Sequence, residues 1–516
     1  MSRGPRAELA DADASSSSAA VSSVPTIPED RRPLDLVVSL CRELEAAGVP
    51  YCHFKSNEAL DRSLTGENDL DLLIGSEGAE RFLEVLAALG FKEGLPPRVR
   101  RIPGVAQYYG LDVQSGRLVQ VHAHRRLVLG DDTTKNFALD IEDAYVASSR
   151  RAPLLRVPSP EYELLLFTLR MVVKHSTLDA MLMLQGRLSA SERRELIWLA
   201  DRADLSRVRE LVRTSLPFVG EPLFDRCMAA VQPGRGPWFR MRTAGRLHRA
   251  LAAHGRRRRF ADASLRVTRR VTWVLRRLLR GKPRKRLAGG GALIAVVGGD
   301  GAGKSTAISD LSGWLSGPFD LERVHLGKPP PGLLTVVVKG PMYVLRKAGM
   351  FRSTLVPVQS LKEQDASFPG YGWLVWHVLT ARDRYRLYAK AQRAVLCGRI
   401  VLSDRFPLQK IRTMDGEKTT WLEERHDLGS VARWLVSLER GYYANFMWPD
   451  QLIVLRVDPA IAVRRKQHEE DAEFVRPRSS EVWQADWSDT PAVVVDAGRG
   501  RGEVQAAMRS IVWSRL

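Results

Sequence analysis

Four residues near the middle of the chain, Gly298, Gly303, Lys304 and Ser305, have the spacing Gly-x4-Gly-Lys-Ser. Glycines let backbone N–H groups close around phosphate oxygens without Cβ clashes. Lys304 supplies a positive charge for the β- and γ-phosphates of a nucleotide, and Ser305 supplies a hydroxyl ligand for Mg²⁺. The pattern predicts a phosphate-binding loop whose contact residues are Gly298, Asp300, Gly301, Gly303, Lys304, Ser305 and Thr306.

Such a loop needs a strand before it and a helix after it, because the first amides of the helix complete the anion site. The apolar, β-rich run 292–297 precedes the loop, and the helix-compatible segment 307–315 follows it. Both elements are therefore predicted.

A second apolar run, 398–406, contains Asp404 and Arg405 where we expect a strand to end. Ligands gather at the carboxyl ends of parallel strands. An aspartate there can hold Mg²⁺ or its bound water, and an arginine can grip an acceptor phosphate with two hydrogen bonds. Asp404 and Arg405 are therefore candidate catalytic residues, although an aspartate in this position also caps a following element in many proteins.

A third strand is predicted at 450–457, and it turns at Asp458 into a helix that carries arginines. A polar stretch with further arginines follows, then a short edge strand at 492–495 and a closing helix from Glu503. In isolation such arginines usually form a solvated face. Their position after two predicted active-site strands favours a catalytic role for Arg464, Arg465 and Arg478.

These motifs resemble the thymidylate kinase-like branch of the nucleoside monophosphate kinases. The matching segments are Asp-Gly-Ala-Gly-Lys-Ser-Thr (300–306), Leu-Ser-Asp-Arg-Phe (402–406) and Pro-Asp-x-Leu-Ile-x-Leu-x-Val-Asp-Pro (449–459). The resemblance covers residues 292–516 and implies a parallel five-stranded sheet between helices, with ATP as phosphate donor and Mg²⁺ as cofactor. It further implies that Asp300 faces the sugar of the acceptor and that Arg405 contacts the acceptor phosphate.

Two departures from that pattern shape the prediction. Ala302 stands where some members carry an arginine, and in members that lack it lid arginines neutralise the transferred phosphoryl group. The Arg-Glu-Pro-Gly segment of true thymidylate kinases is replaced by His-Leu-Gly-Lys-Pro-Pro-Pro-Gly at 325–332, in which Lys328 could still reach a phosphate. The resemblance therefore supports phosphoryl transfer more strongly than it supports thymidylate as the acceptor.

Near the N-terminus, Phe-Lys-Ser at 54–56 precedes Asp69 and Asp71, and the pattern resembles the nucleotidyltransferase fold. Side chains alternate along a strand, so the two carboxylates share a face and could bind Mg²⁺ on a triphosphate. Lys55 replaces the usual glycine. Where a third carboxylate is expected, the strand-like run carries Gln120, His122 and His124. Asp112 is a candidate to supply the missing carboxylate. The alternative is a degenerate domain that binds a nucleotide or sugar without chemistry.

The composition sets the wider organisation of the 516 residues. We predict an α/β chain in five parts: a disordered tail (1–33), a small α+β nucleotidyltransferase-like domain (34–150), a helical domain (151–234), a basic amphipathic linker (235–288) and the P-loop domain (289–516). No apolar run is long enough to span a membrane and no secretory signal is evident, which favours a cytoplasmic protein. Scattered cysteines suit reduced core thiols: Cys41, Cys52, Cys227 and Cys397.

Almost all of the net charge of +20 lies in one segment, because residues 235–286 contain 19 Lys or Arg and a single acid, Asp262. Within it, 263–280 has apolar residues on one helical face and arginines on the other. Such a helix suits an anionic membrane surface or, less well, a nucleic acid. The alternative is a linker helix whose apolar stripe packs on a neighbouring domain while its charges face water.

The function predicted from these features is ATP-dependent transfer of a phosphoryl group to a small-molecule acceptor, most simply a nucleotide. Two alternatives stay open. One is a bifunctional nucleotidyltransferase–kinase of sugar or polysaccharide precursor metabolism. The other is a non-catalytic ATP-binding regulator or scaffold that docks through its basic segment.

Overall fold

The computed structural model describes residues 32–175, 188–280, 284–347, 368–411, 415–423, 425, 427–466 and 472–516. The predicted tail, apart from residues 32 and 33, therefore lies outside the described residues. Throughout the described part, the chain is a mixture of helices and strands, as predicted.

A six-stranded sheet organises the first part of the chain, in the order β1-β2-β5-β4-β3-β10. β2 and β5 pair in parallel, and the other neighbours pair antiparallel. The strands in chain order are β1 Tyr51–His53, β2 Leu70–Ile74, β3 Lys92–Leu95, β4 Val105–Asp112, β5 Arg117–His124, β6 Leu127–Leu129, β7 Phe137–Leu139, β8 Arg150–Arg151, β9 Arg156–Val157 and β10 Arg286–Leu287. β4 and β5 form an antiparallel hairpin. β10, at the end of the segment predicted as a linker, completes this sheet.

Helices cover this sheet and extend beyond it. α1 buries Val37, Leu40 and Leu44, the spacing expected of one helical face. α6 begins with a capping box in which Ser189 and Glu192 exchange hydrogen bonds. The helices are α1 Asp35–Ala46, α2 Leu60–Leu64, α3 Ala79–Ala88, α4 Glu142–Ala147, α5 Pro160–His175, α6 Ala190–Ala200, α7 Leu205–Ser215, α8 Glu221–Val231, α9 Pro237–Ala250 and α10 Arg259–Arg280.

A five-stranded, fully parallel sheet organises the second part, in the order β12-β13-β11-β14-β15. β11 is buried along its whole length, which explains its unbroken apolar sequence. Its alternate residues enter two different cores, one on each face of the sheet. The strands are β11 Ala292–Gly298, β12 Leu321–His325, β13 Ile400–Asp404, β14 Gln451–Arg456 and β15 Ala492–Asp496.

Helices pack on both faces of the parallel sheet. They are α11 Lys304–Ser316, α12 Leu333–Lys347, α13 Tyr371–Leu396, α14 Ser430–Ala444, α15 Pro459–Lys466, α16 Ala472–Gln484 and α17 Arg501–Arg515. The predicted mixed α/β class with a parallel sheet is thus confirmed, whereas the kinase type of the fold stays a prediction. The polar stretch predicted around Arg478 is instead part of α16, so that arginine is held on a helix.

The two sheets share a core. Tyr109 on β4 packs edge-on against Phe319, whose ring centroid is 4.9 Å away. Trp513 on α17 is buried, and its indole N–H donates to the Gly90 carbonyl oxygen at 3.1 Å. Leu287 of β10 enters the same core. The two parts of the chain are therefore joined by apolar packing.

The cysteines and the helix lengths bear on two further predictions from the sequence. Three of the cysteines are buried and free, whereas Cys397 is exposed rather than in the core. Within the described residues no helix is both long and apolar enough to cross a membrane.

Candidate functional site

The phosphate-binding loop connects β11 to α11 and requires glycine at two backbone positions. Gly301 and Gly303 have φ values of +79° and +83°, which other residues adopt only with strain. Gly303 is also the residue from which α11 begins. The Lys304 ammonium donates to the Gly299 carbonyl oxygen at 2.8 Å. A bound phosphate would compete for this buried charge.

The loop packs directly beneath the two helices that follow β14. A Cβ added at Gly301 would lie 2.6 Å from the Ala462 carbonyl oxygen of α15. A Cβ at Gly299 would lie 2.7 Å from Cα of Ser479 on α16. Both approaches are too close for any side chain. Glycine at these positions therefore lets α15 and α16 lie against the loop.

Asp300 is the charged centre of the loop. Its carboxylate accepts from Arg478 at 2.8 Å and from Arg405 at 3.4 Å, and the Lys304 ammonium lies 3.7 Å away. Burial alone would raise the pKa of Asp300, but the hydrogen bond from Arg478 and the charges of Lys304 and Arg405 outweigh burial and lower it. Burial and nearby Arg405 lower the pKa of Lys304.

Arg405 bridges two carboxylates at the end of β13. Besides Asp300, it donates to Asp415 at 3.4 Å. Its φ of +66° is in the left-handed region, which is unusual for a residue with a side chain. Conformations of this kind cost about 1–3 kcal/mol and cluster at functional sites. The backbone is therefore held in an unfavourable conformation at the point where the side chain enters the site.

A second arginine, which the sequence did not single out, supports this arrangement. Arg384 on α13 is buried and donates to the carbonyl oxygens of Leu326 at 2.7 Å and Asp415 at 2.9 Å, and also to the Tyr443 hydroxyl. It thereby connects the segment after β12 to the loop that carries Asp415. No sequence motif marks Arg384 and Asp415, since they are 31 positions apart and come into contact only in the folded chain.

A cavity of about 690 Å³ opens beside the loop. This volume lies within the range of about 300–1,000 Å³ usual for ligand sites. The predicted residues that line it are Asp300, Gly301, Gly303, Lys304, Ser305, Thr306, Asp404, Arg405 and Arg465. Lys328, from the segment 325–332 that differs from the thymidylate kinase pattern, also lines it. Four cationic lining residues were not among the predicted site residues: Lys466, Arg499, Arg501 and Arg509.

The predicted lid arginines separate in the structure. Arg465 lines the cavity and donates to the Ala497 carbonyl oxygen at 3.0 Å. Arg464 is exposed and does not line it. Arg478 reaches Asp300 instead. Gly298 lies at the end of β11, beside a small space next to Arg405. The structure thus brings most, but not all, of the predicted residues to one cavity.

The oxygen donors in this cavity suit Mg²⁺. Ser305 and Asp404 both line it, one offering a hydroxyl and the other a carboxylate. Mg²⁺ prefers oxygen ligands and commonly binds one or two carboxylates together with substrate phosphates. These two residues would therefore hold the ion beside a nucleotide.

Asp69 and Asp71 lie in a second cluster, on the first sheet. Asp71 pairs with His122 across the parallel strands β2 and β5. The Asp71 carboxylate lies 3.3 Å from Nδ1 of His122, 3.5 Å from Nε2 of His124 and 2.9 Å from the Lys55 ammonium. Asp69 lies 3.4 Å from Nε2 of His122. The predicted sharing of one face by the two aspartates agrees with this geometry.

The position of the third carboxylate is filled by histidine. Asp112 lies at the far end of β4, where it accepts from the amides of Leu36 at 2.9 Å and Ser115 at 3.0 Å. The suggestion that Asp112 substitutes for a third metal ligand is therefore wrong, because this side chain caps local backbone. His122 occupies the place between Asp69 and Asp71 instead.

The donors around Asp71 do not fit Mg²⁺. Two imidazole nitrogens and an ammonium face its carboxylate, whereas Mg²⁺ requires near-octahedral oxygen ligands. Burial would raise the pKa of Asp71, but Lys55, His122 and His124 hold it well below its usual range. Mg²⁺ bound by Asp69 and Asp71 stays a prediction that this geometry does not favour.

Two proteins of Escherichia coli are similar in sequence to part of this chain. No protein-family model matches the sequence. The chain is 30% identical over 187 residues to a protein of Escherichia coli strain K12 that is described as "Uncharacterized ATP-binding protein YghR". The match spans 35% of this chain and 71% of that protein. The chain belongs to the YghR family. The YghR protein of Escherichia coli O6:H1 strain CFT073 matches with the same identity and coverage.

Proposed function

We propose that the C-terminal part of this YghR-family chain binds ATP and transfers its γ-phosphate to a small-molecule acceptor, most simply a nucleotide. The description of the relatives as ATP-binding proteins supports the donor. The glycine loop, the buried Lys304 and the start of α11 are the elements that bind nucleotide phosphates. The resemblance to thymidylate kinase-like enzymes supports transfer to an acceptor.

The strained Arg405 is the observation that carries the proposal. Its side chain lines the same cavity as Lys304, and its backbone is held at a φ of +66°. A planar guanidinium binds a phosphate through two hydrogen bonds. Asp300 and Asp415 each accept from one terminal nitrogen of Arg405 and hold the guanidinium in place, and its remaining N–H groups can bind the acceptor phosphate. An ATP-binding regulator has no need of such a second phosphate site.

The reaction needs few groups from the protein. A bond forms between an anionic phosphate oxygen of the acceptor and the γ-phosphorus while the bond to the β–γ bridging oxygen breaks, and ADP leaves with that electron pair. Lys304 and the loop amides hold the donor phosphates. Arg465, already at the cavity, offsets charge on the transferred group, because fixed positive charges stabilise the transition state. Mg²⁺, held by Ser305 and Asp404, would neutralise the donor oxygens.

Labelled ATP and a panel of nucleosides, nucleotides and sugar phosphates test this proposal. We expect label to pass to at least one acceptor, and Lys304→Ala to lower the rate at least 100-fold, as expected for loss of a preorganised charge. Lys390→Ala is the matched control. Lys390 is exposed, pairs with Glu322 at 2.8 Å and does not line the cavity. Normal ATP binding without transfer to any acceptor would instead support the regulator alternative.

A further inference from the structure

Three side chains of the N-terminal cluster, Asp71, His122 and His124, each offer one atom that could bind a metal ion. The donor atoms of Asp71, His122 and His124 lie within 4.8 Å of each other. Neighbouring ligands of a tetrahedral ion with bonds of about 2.1 Å are about 3.4 Å apart. The separations from the Asp71 carboxylate, 3.3 and 3.5 Å, match that spacing. The cluster therefore has the dimensions of a metal site.

The ligand atoms of Asp71 and His124 are buried, and their hydrogen bonding within the protein is incomplete. Asp71 and His124 are 9% and 8% exposed. Nε2 of His124 is buried without a hydrogen bond, and Oδ1 of Asp71 has an ion pair with the Lys55 ammonium at 2.9 Å but no hydrogen bond of good geometry. Buried polar atoms without partners are rare and costly. An ion between them would satisfy both.

A supporting residue for such an ion is also in place. His122 directs Nδ1 towards Asp71, and its Nε2 lies 2.5 Å from the Gln120 side-chain amide and 3.4 Å from the Asp69 carboxylate. Histidine ligands usually donate their second ring N–H to a carboxylate, which orients the ring and strengthens the metal bond. Asp69, together with the Gln120 amide, would thus orient His122 rather than bind the ion itself.

From this geometry we propose that Asp71, His122 and His124 bind a divalent transition-metal ion such as Zn²⁺. Nitrogen donors favour this class of ion over Mg²⁺. Lys55 competes for the same carboxylate oxygen and limits the affinity. A cavity of about 240 Å³ adjoins the site, and Lys55, Lys135 and Arg170 are among its lining residues. These cations suit an anionic ligand beside the metal.

Metal titration of the full-length protein tests this proposal directly. We expect Zn²⁺, in competition with a chromophoric chelator, to occupy one site that His124→Ala weakens at least 100-fold and Asp69→Asn weakens about 10- to 100-fold. Lys55→Met should strengthen binding, because it removes the competing ammonium. His254→Ala is the control, since this histidine stacks on Phe218 elsewhere. Circular dichroism checks that every variant is folded.

Three outcomes would overturn the metal site. The first is that folded wild-type protein and Lys55→Met both bind no transition ion. The second is Mg²⁺ binding that depends on both aspartates but not on the histidines. The third is Zn²⁺ binding that His124→Ala and His122→Ala leave unchanged.

A different observation concerns the basic helix α10, which packs on the protein through its polar side. Arg269 donates to the Thr133 carbonyl oxygen at 2.8 Å, and Arg270 to the Asp131 carboxylate at 2.7 Å. The guanidinium of Arg100 lies over the Trp273 ring, 5.2 Å from its centroid. The polar side of the helix therefore faces the body of the molecule.

The apolar stripe of α10 faces outward. Val267, Val271 and Leu278 are 62%, 52% and 76% exposed. At 100° per residue they lie on one face, where they are joined by Phe260, Val274 and Leu275, all exposed. A helix of a water-soluble domain normally buries this face. Among the described residues, the alternative in which the stripe packs on a neighbouring domain is therefore contradicted.

The charge around this stripe identifies its partner. The segment 235–286 carries a net charge of +18. Pairing of the stripe with that of a second copy would bring two such segments together, which electrostatic repulsion opposes. An anionic bilayer offers both an apolar layer for the stripe and negative headgroups for exposed arginines at its edge, such as Arg259 and Arg277. We infer that α10 binds the surface of an anionic phospholipid membrane.

Vesicle sedimentation with two matched variants tests this inference. Val267 and Val113 are both 62% exposed, but Val113 lies between β4 and β5. We expect wild-type protein to bind mixed phosphatidylcholine–phosphatidylglycerol vesicles and not pure phosphatidylcholine. Val267→Glu should weaken binding about tenfold or more, since it puts a charge into the apolar layer. Val113→Glu should leave it nearly unchanged.

The inference fails if wild-type protein binds no anionic vesicle or if the two variants weaken binding equally. It also fails if light scattering shows a dimer that Val267→Glu dissociates, because the stripe would then be an interface between copies.

Discussion

Two glycines of the phosphate-binding loop give a matched test of how the loop meets α15. Gly301 and Gly303 have nearly the same positive φ, +79° and +83°. A Cβ at Gly303 would meet no atom within 4 Å, whereas a Cβ at Gly301 would lie 2.6, 2.9 and 3.0 Å from backbone atoms of Ala462. Substituting each by alanine therefore separates backbone strain from steric overlap.

The two costs can be estimated separately. A left-handed conformation costs an alanine about 1–2 kcal/mol, and the less flexible unfolded chain returns about 0.4–1 kcal/mol. Gly303→Ala should thus lower the free energy of unfolding by about 1 kcal/mol. Overpacking against backbone that cannot rotate away adds about 1–3 kcal/mol. Gly301→Ala should therefore cost about 2–4 kcal/mol.

Urea unfolding without nucleotide, followed by tryptophan fluorescence, measures the difference. Trp314 and Trp513 lie on α11 and α17, in the core beside the loop. Gly301→Ala should also weaken ATP binding, because Arg465 is carried by the displaced α15. Equal destabilisation by the two variants would refute the close packing of the loop beneath α15.

Three further predictions concern other parts of the chain. Burial and Glu195 raise the pKa of Glu163 to about 8, so its proton stabilises the fold at low pH and this contribution is lost as the pH rises from about 4.5 towards 8. Glu163→Gln should make the fall of the unfolding free energy with pH less steep by up to about 1.4 kcal/mol per pH unit over that window. An unchanged slope would contradict the inference that buried Glu163 keeps its proton in the folded state. Asp300→Asn should raise the acceptor KM about tenfold with little change in the KM for ATP, because it weakens the hold on Arg405; equal effects on both constants would argue against this role. Trp513→Ala should lower the unfolding free energy by about 3–5 kcal/mol, measured in urea, and a loss below about 1 kcal/mol would show that the shared core contributes little.

The local sequence was sufficient to predict the phosphate-binding loop and the two elements that flank it. β11, the glycines and α11 are contiguous, and the chemistry of each position requires a particular residue type. The ends of β13 and β14 were likewise predictable, because apolar runs buried on both faces of a parallel sheet are easy to recognise. These short-range patterns placed Lys304, Ser305 and Asp404 at one cavity.

Contacts between distant segments could not be predicted in this way. The partners of Arg405 include Asp415, and Arg384 reaches that loop from α13; neither has a local motif. Arg478 was predicted to act on the transferred phosphoryl group, but α16 places it against Asp300. The outward orientation of the apolar stripe on α10 also depends on tertiary contacts, since periodicity identifies a face but not its direction.

Product-resolved analysis of labelled ATP tests the central claim of phosphoryl transfer most directly. With wild-type protein and a responsive acceptor, we expect the γ-phosphate to appear on the acceptor. With Arg405→Ala, ATP should still bind while transfer falls at least tenfold, because Lys304 and the loop amides remain but the acceptor is no longer held. Label found only in inorganic phosphate, whatever the acceptor and in both proteins, would contradict the proposed transfer.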